Sequence, residues 1–160
     1  MGCIGEDYYE AVLKSMLSVG YKITVKNVLM STGPSKSKIE LLTASRLLVE
    51  NGCRLFGTKG TQQFFHDHGI PCTMLYWPDE NQNPNTLNYI KEKKIDLVIN
   101  IPKNLSKDEL FNDYLIRRSA IDFNIPLITN ARLANAFIHA LCNKGLEGIK
   151  IKSWDEYEPT

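Results

Sequence analysis

The stretch of sequence that decides the fold is residues 52–65, which read GCRLFGTKGTQQFF. Its largely apolar run at 54–57 predicts a buried strand, and the small polar turn after it leads into a predicted helix at 59–68. Where a strand hands over to the first turn of a helix, unbonded backbone N–H groups and the positive end of the helix dipole meet. The stretch therefore predicts an anion-binding turn, although the same pattern is also typical of a connection that binds nothing.

Five residues near this turn suit an anion. Thr58 and Thr61 carry hydroxyl donors, and Gly60 lets the backbone approach a ligand closely. Lys36 and Lys38 lie at the predicted start of the preceding helix, where the helix dipole disfavours cations. Two lysines in that position indicate either a neighbouring anion or a first turn that is simply solvated.

Strand and helix alternate along the rest of the chain. Strands are predicted at 27–31, 54–57, 71–77, 95–100 and 125–129, and helices at 6–19, from the turn at 32–35 to 50, and at 59–68, 86–94, 108–124 and 131–143. Nearly continuous apolar strands separated by helices favour a parallel sheet that is covered on both faces. We expect an α/β fold of three layers, α/β/α, with a five-stranded parallel sheet.

Ligands of such folds bind at the carboxyl ends of the strands. The residues expected there are polar or aromatic, namely 58–61, Trp77, Asn100 and 129–130. The polar loop at 78–85 is a further place for ligand contacts, because loops on a rigid scaffold often carry them. All of these positions should share one edge of the sheet.

A length of 160 residues and a hydrophobic content of 43% suit one domain with a substantial core. We expect a single domain over residues 1–160, with an entry helix at 6–20 and a tail at 144–160 that the sequence pattern does not place. The first residues look like the middle of a longer protein, so we expect a fragment of a larger chain.

The charge and the cysteine content limit which partners and which cellular compartment we expect. A net charge of +1, from 19 basic and 18 acidic side chains, gives no reason to expect a nucleic acid or an anionic membrane. The four cysteines show no metal-site or disulfide spacing, which favours a reducing compartment. There is no apolar run long enough to span a membrane and no signal-peptide pattern.

Several ordered motifs together resemble one known family. The matching stretches are the LKSMLS helix at 13–18, GCRLFGTKGT at 52–61, IDLVINIP at 95–102, YLIRRSA at 114–120 and IPLITN at 125–130. They are similar to the methylglyoxal-synthase-like domain that ends the large subunit of carbamoyl-phosphate synthases. The likeness runs over almost the whole chain, and the four motifs from residue 52 onwards, in this order, are far more specific than any one of them.

The resemblance implies an allosteric domain with no catalytic residues, no metal and no cofactor of its own. It implies control of ATP-dependent carbamoyl phosphate synthesis, in the arginine, urea-cycle and pyrimidine pathways. The implied partners are the remaining synthetase domains of the same chain and, indirectly, a glutaminase subunit or domain. The implied compartment is the cytoplasm or the mitochondrial matrix.

Two kinds of effector follow from the resemblance. Family members that bind UMP, IMP, UTP or phosphoribosyl pyrophosphate place the phosphate in the Thr-x-Gly-Thr turn, which here would use Thr58, Gly60, Thr61, Lys36 and Lys38. Members of the urea-cycle type bind N-acetyl-L-glutamate in the same place; the matching residues here are Thr58, Thr61, Trp77, Asn100 and Asn104, with Lys103 where another asparagine is expected. We favour N-acetyl-L-glutamate as the effector and keep the nucleotides as the alternative.

Methylglyoxal synthase itself, a lyase that acts on dihydroxyacetone phosphate, is the rival interpretation from an enzyme class. Its catalytic pattern has a Gly-Gly-Asp-Gln-Gln loop and an Asp-Pro after the fourth strand, whereas this chain has residues 80–83 (ENQN) and 102–104 (PKN) there. Proton abstraction needs a carboxylate or similar base near the substrate carbon. The matching positions carry amides and a lysine, and the acidic Asp79 and Glu80, which could serve as replacements, are expected to be solvated loop residues. The purine-pathway cyclohydrolase relative is a third interpretation, which we favour less because these 160 residues stop where the long second domain of that enzyme would begin.

Overall fold

The computed structural model describes residues 2–102 and 107–157 and contains five parallel strands. The strands are β1 (Asn27–Thr32), β2 (Arg54–Gly57), β3 (Thr73–Met74), β4 (Leu97–Ile101) and β5 (Leu127–Ile128). They lie in the order β3-β2-β1-β4-β5. The predicted five-stranded parallel sheet is therefore confirmed, and its direction of winding reverses between β1 and β4.

Seven α-helices connect and cover the strands in the described residues. They are α1 (Tyr8–Ser18), α2 (Ser35–Glu40), α3 (Leu42–Glu50), α4 (Lys59–Asp67), α5 (Thr86–Lys91), α6 (Lys107–Asp122) and α7 (Ala131–Asn143). Two short 3₁₀ turns lie at Pro78–Glu80 and Trp154–Glu156. The predicted long second helix is two helices, because the chain at Leu41 adopts φ −90° and ψ −2° and interrupts the regular turn.

Alternating strand residues build a core on each face of the sheet. Val28 and Met30 of β1 belong to one apolar cluster, together with Phe65 of α4 and Phe137 of α7. Leu29, between them, belongs to the other cluster, which includes side chains of α5 and α6. Since successive side chains of a strand point to opposite faces, this division confirms the three-layer arrangement.

The third strand is shorter than the predicted 71–77 because the chain changes partner. Leu75 still donates its N–H to Gly57 O of β2 at 2.9 Å. At Tyr76 the backbone turns to the following loop instead: its N–H donates to Pro84 O at 2.8 Å, and its carbonyl accepts from Thr86 N at 3.0 Å. This change of partner carries the chain away from the edge of the sheet just before Trp77.

The tail, which the sequence did not place, lies against α1 through a buried carboxylate. Glu10 is fully buried and accepts from Lys14 Nζ at 2.8 Å, from the N–H of Glu6 at 3.0 Å and from the N–H of Lys150 at 3.2 Å. Burial acts to raise the pKa of Glu10, but these donors outweigh it and lower the pKa to about 2.

No helix in the described parts of the chain is long and apolar enough to cross a membrane.

Candidate functional site

A cavity of about 430 Å³ lies at the carboxyl ends of the central strands. We call it the strand-end cavity. Its walls include Thr32 at the end of β1, Ile101 at the end of β4 and Thr58 directly after β2. It therefore lies where the winding of the sheet reverses, which is the place where α/β sheets of this kind bind ligands.

Five of the eight predicted site residues line this cavity. They are Lys38, Thr58, Gly60, Thr61 and Trp77. The residues come from three separate parts of the chain, α2, the β2–α4 junction and the segment after β3, so the fold brings together residues that are distant in sequence.

The first turn of α4 faces the cavity with backbone donors that nothing in the described chain uses. Thr58 is the N-cap residue, with extended backbone (φ −66°, ψ 157°), and its side chain makes no capping hydrogen bond. The N–H groups of Thr61 and Gln62 donate to Thr58 O, each at 2.9 Å. Within the described residues, the N–H groups of Lys59 and Gly60 have no hydrogen-bond acceptor. An anion at this helix start would meet two unused donors and the positive end of the dipole.

Lys38 brings positive charge to the same turn. Its Nζ donates to Gly60 O at 3.0 Å and lies 5.9 Å from the centre of the Phe64 ring. A Cβ added to Gly60 would lie 3.6 Å from that Nζ, which is an ordinary contact. The small size of Gly60 is thus not required by the packing around it, but it leaves the backbone open towards the cavity.

Thr61 differs from the expectation that it is simply a ligand donor. Its side chain is only 2% exposed, and its Oγ accepts from Thr32 N at 3.2 Å and lies 3.3 Å from Thr32 Oγ. The hydroxyl therefore ties the start of α4 to the end of β1. Thr61 therefore helps to shape the cavity wall, and its hydroxyl could also donate a hydrogen bond into the cavity.

Two predicted residues do not line the cavity, and a third lies outside the described residues. Lys36 is exposed on α2 and is not one of the wall residues. Asn100 is fully buried, donates from Nδ2 to Asp113 Oδ1 at 2.8 Å and accepts from Arg117 Nη1 at 3.1 Å. Asn104 lies outside the described residues.

Other wall residues were not anticipated from the sequence. Thr32 is the last residue of β1 and Gly33 follows it, Gln63 lies on α4, and Glu109 and Asp113 lie on α6. Thr32 and Gly33 follow from the rule that ligands bind at strand ends, applied to the first strand as well as to the later ones. Asp113 had no such signal, because its place depends on how α6 packs against the end of β4.

The wall carries charges of both signs. Lys38 and Lys59 lie on the side of α4, and Glu109 and Asp113 lie on the side of α6. Asp113 is 3% exposed, and Asn100 donates to its carboxylate. A ligand in this cavity would therefore meet an electropositive end and an acidic end.

A larger groove of about 880 Å³ lies at the opposite edge of the sheet, beside Asn27 and Arg54, the first residues of β1 and β2. It opens at the amino ends of the strands, where no helix N-terminus follows a strand. Burial raises the pKa of Cys142, in the same groove, to about 11, so the thiol stays protonated near neutral pH.

The described residues contain no cluster of His, Cys, Asp and Glu that could hold a metal ion.

The proteins with similar sequences include multifunctional proteins and carbamoyl-phosphate synthases. The chain is 39% identical over 146 residues to "Multifunctional protein pyr1-3" of Dictyostelium discoideum, covering 88% of this chain and 7% of that protein. It is 37% identical over 145 residues to human "Carbamoyl-phosphate synthase [ammonia], mitochondrial", covering 88% of this chain and 10% of that protein. The chain thus corresponds to a tenth or less of the length of these relatives.

A solved structure and a family model agree with the fold. The crystal structure of methylglyoxal synthase from Elizabethkingia anophelis superposes with a TM-score of 0.51, covering 74% of this chain and 79% of the other, at 14% sequence identity. Identity at that level supports the fold alone. The family model described as "MGS-like domain" matches residues 40–129, which is more than half of the chain. The chain therefore belongs to the family of MGS-like domains.

Proposed function

We propose that this chain is the effector-binding regulatory domain of a carbamoyl-phosphate synthase. A small anionic metabolite binds in the strand-end cavity and controls the ATP-dependent synthesis of carbamoyl phosphate, which takes place elsewhere in a longer polypeptide. The domain itself makes and breaks no bond. The observation that carries the proposal is the start of α4, where two unused N–H groups and Lys38 face an internal cavity.

The relatives support the setting of this proposal. They are named as multifunctional proteins and carbamoyl-phosphate synthases, and the matched region is a small part of each. A domain of this size that binds a metabolite can regulate a larger enzyme only if the two states of that enzyme bind the metabolite with different affinity.

The helix α6 offers a route for that coupling. Its buried side holds the cavity wall through Asp113, while Phe111, Tyr114 and Ile121 are exposed at helical spacing on its other side. A helix with apolar side chains on both sides is usually covered on both. We assign the remainder of the longer polypeptide as the partner of the exposed side, because the matched region is only 7% and 10% of the length of the two relatives.

The identity of the effector rests on the donor sets. The described residues supply one full set for an anionic group, at the start of α4. A nucleotide needs this phosphate cradle and a stacking surface, which Trp77 can provide. N-acetyl-L-glutamate has two carboxylates and needs a second, separate set; since Asn100 is bonded to Asp113 and Arg117, that set would depend on Asn104.

Isothermal titration of the 160-residue chain tests the proposal. The ligands are N-acetyl-L-glutamate, UMP, UTP, IMP and phosphoribosyl pyrophosphate, and we expect binding heat from one class only. Thr58→Ala should lose about 1–3 kcal/mol of the binding free energy, as expected for a lost hydrogen bond to a charged group. Absence of heat with every ligand would overturn the proposal.

A turnover assay with dihydroxyacetone phosphate tests the lyase alternative. We expect no methylglyoxal from the purified chain. Formation of methylglyoxal that is lost in Asp113→Asn, a variant of the buried carboxylate in the wall, would establish catalysis and contradict a purely regulatory role.

A further inference from the structure

Trp77 is held at the cavity by its backbone. It precedes the 3₁₀ turn Pro78–Glu80, and its N–H donates to Glu80 Oε2 at 2.7 Å. Its carbonyl accepts from Asn85 Nδ2 at 2.9 Å. Both polar groups of the Trp77 backbone are thus hydrogen-bonded to residues of the loop that follows, and Trp77 forms part of the cavity wall.

Asn85 is the anchor of this arrangement. It is only 6% exposed, and its side-chain nitrogen and oxygen make hydrogen bonds to residues before and after it in the chain. Oδ1 accepts from Leu87 N at 2.9 Å and so caps α5, while Nδ2 donates back to Trp77. Because the cap fixes the amide plane, the donor that reaches Trp77 is fixed relative to the core of the domain.

A second contact reaches the same turn from α6. Asp79 donates its N–H to Asn112 Oδ1 at 3.3 Å, and Asn112 is buried. The next residue, Asp113, accepts from Asn100 at the end of β4. The turn that carries Trp77 is therefore held between α5 and α6, the two helices on one face of the sheet.

We infer that Asn85 is a positioning residue of the effector site, which holds Trp77 as a wall of the cavity before a ligand binds. The inference rests on the proposed function and adds a specific residue to it. A wall that is already in place does not have to be ordered by the ligand, so more of the contact energy appears as affinity. Loosening Trp77 should weaken the binding of any ligand that contacts the indole by roughly three- to tenfold.

The substitution Asn85→Asp separates the two bonds of Asn85. A carboxylate keeps the oxygen that caps α5 and suits the positive end of the helix dipole, but it has no N–H to donate to the Trp77 carbonyl. The matched control is Asn130→Asp. Asn130 caps α7 by accepting from Leu133 N at 3.0 Å and has no contact with Trp77, so the same chemical change there tests the cap alone.

The measurement uses the fluorescence of Trp77 in a Trp154→Phe background. The chain has two tryptophans, and Trp154 is 79% exposed on the tail, so this change leaves Trp77 as the single reporter. We expect Asn85→Asp to raise acrylamide quenching of Trp77 about twofold and to lower its anisotropy, with a thermal midpoint close to that of the parent. Asn130→Asp should change neither optical signal. The same variants are then titrated with each of the five ligands proposed above that the parent chain binds.

The outcomes separate this inference from the proposed function. Looser Trp77 together with three- to tenfold weaker binding in Asn85→Asp, and neither in Asn130→Asp, supports the positioning role. Unchanged quenching, or a looser Trp77 with unchanged affinity, overturns the positioning role. The proposed function still stands in that case if the parent chain binds a ligand. If the parent chain binds none of the five ligands proposed above, the proposed function fails and the positioning role fails with it.

Discussion

Two strand-to-helix junctions at the same edge of the sheet treat their backbone donors differently. Where β5 leads into α7, Asn130 has an extended backbone and its side chain accepts from Leu133 N at 3.0 Å. Where β2 leads into α4, Thr58 also has an extended backbone, but its side chain caps nothing. One junction uses its donors within the protein, and the other directs them into a cavity.

We interpret this difference as a mark of the proposed binding site. α1 and α5 are also capped by side chains, those of Asp7 and Asn85; of the helices with a described N-terminus, α4 and the short α2 and α3 have no such cap. A good cap stabilises a protein by about 0.5–2 kcal/mol, so its absence at α4 has an energetic cost. Groups that bind ligands commonly carry such a cost, because a donor already bonded within the protein is not available to a ligand.

Giving α4 a cap should produce the largest effect on binding. In Thr58→Asp, the carboxylate would accept from the first-turn N–H groups and would repel an anion at the same point. We expect the free energy of unfolding to rise by about 0.5–1 kcal/mol and ligand binding to lose about 2–4 kcal/mol. Urea denaturation and calorimetric titration measure the two quantities. The neutral cap Thr58→Asn is the control that separates capping from charge, and a Thr58→Asp variant that binds as well as the parent would contradict the assignment of the site.

Removing the two N-cap side chains should separate stability from binding. Asn130→Ala loses a real cap, so we expect the free energy of unfolding to fall by about 1 kcal/mol with no change in ligand affinity. Thr58→Ala removes no capping bond, so its stability should stay within about 0.5 kcal/mol of the parent, while binding weakens by about 1–3 kcal/mol. If both variants lost stability and neither lost affinity, the two junctions would be equivalent and the comparison would fail.

Two glycines of the β2–α4 junction should respond in opposite ways. A Cβ on Gly57 would lie 3.0 Å from Cys72 Sγ and 3.3 Å from Gln62 N, so Gly57→Ala should lower the free energy of unfolding by about 1–3 kcal/mol. The nearest atom to a Cβ on Gly60 is Lys38 Nζ at 3.6 Å, so Gly60→Ala should keep or raise stability, by up to about 1 kcal/mol, because alanine favours the helix. Gly60→Ala should nevertheless bind less tightly, because its methyl group lies at the cavity. A destabilised Gly60→Ala variant would show that this glycine is required for packing.

The sheet could be predicted from the sequence because buried parallel strands are continuous apolar runs. Residues 97–99 are such a run, and the alternation of Val28, Leu29 and Met30 between the two cores follows from the period of a strand. The helix break at Leu41 and the early end of β3 were missed. Both depend on local backbone geometry and on the pairing of Tyr76 with the loop, which side-chain patterns do not encode.

The site was predicted in part, for reasons that can be stated. Thr58, Gly60 and Trp77 directly follow strands or start a helix, so strand-end reasoning finds them. The bond from Thr61 to Thr32 and the contacts of Asn100 with Asp113 and Arg117 join distant parts of the chain, and only the packed structure shows them. The two lysines were treated alike, although residues two apart on a helix do not face the same way.

That distinction between the lysines gives the smallest expected effect. Lys38 lies in the cavity wall with Nζ 3.0 Å from Gly60 O, whereas Lys36 is exposed and outside the wall. Lys38→Met should weaken anion binding by about 1 kcal/mol or less at low salt, since the lysine is partly exposed to water and its interaction is screened. Lys36→Met removes the same charge two residues away and should leave the affinity within error. Titration at two salt concentrations measures both: the difference between the variants should shrink as salt rises, and equal losses from the two substitutions would mean that the lysines act only through the overall charge of the surface and not at the cavity.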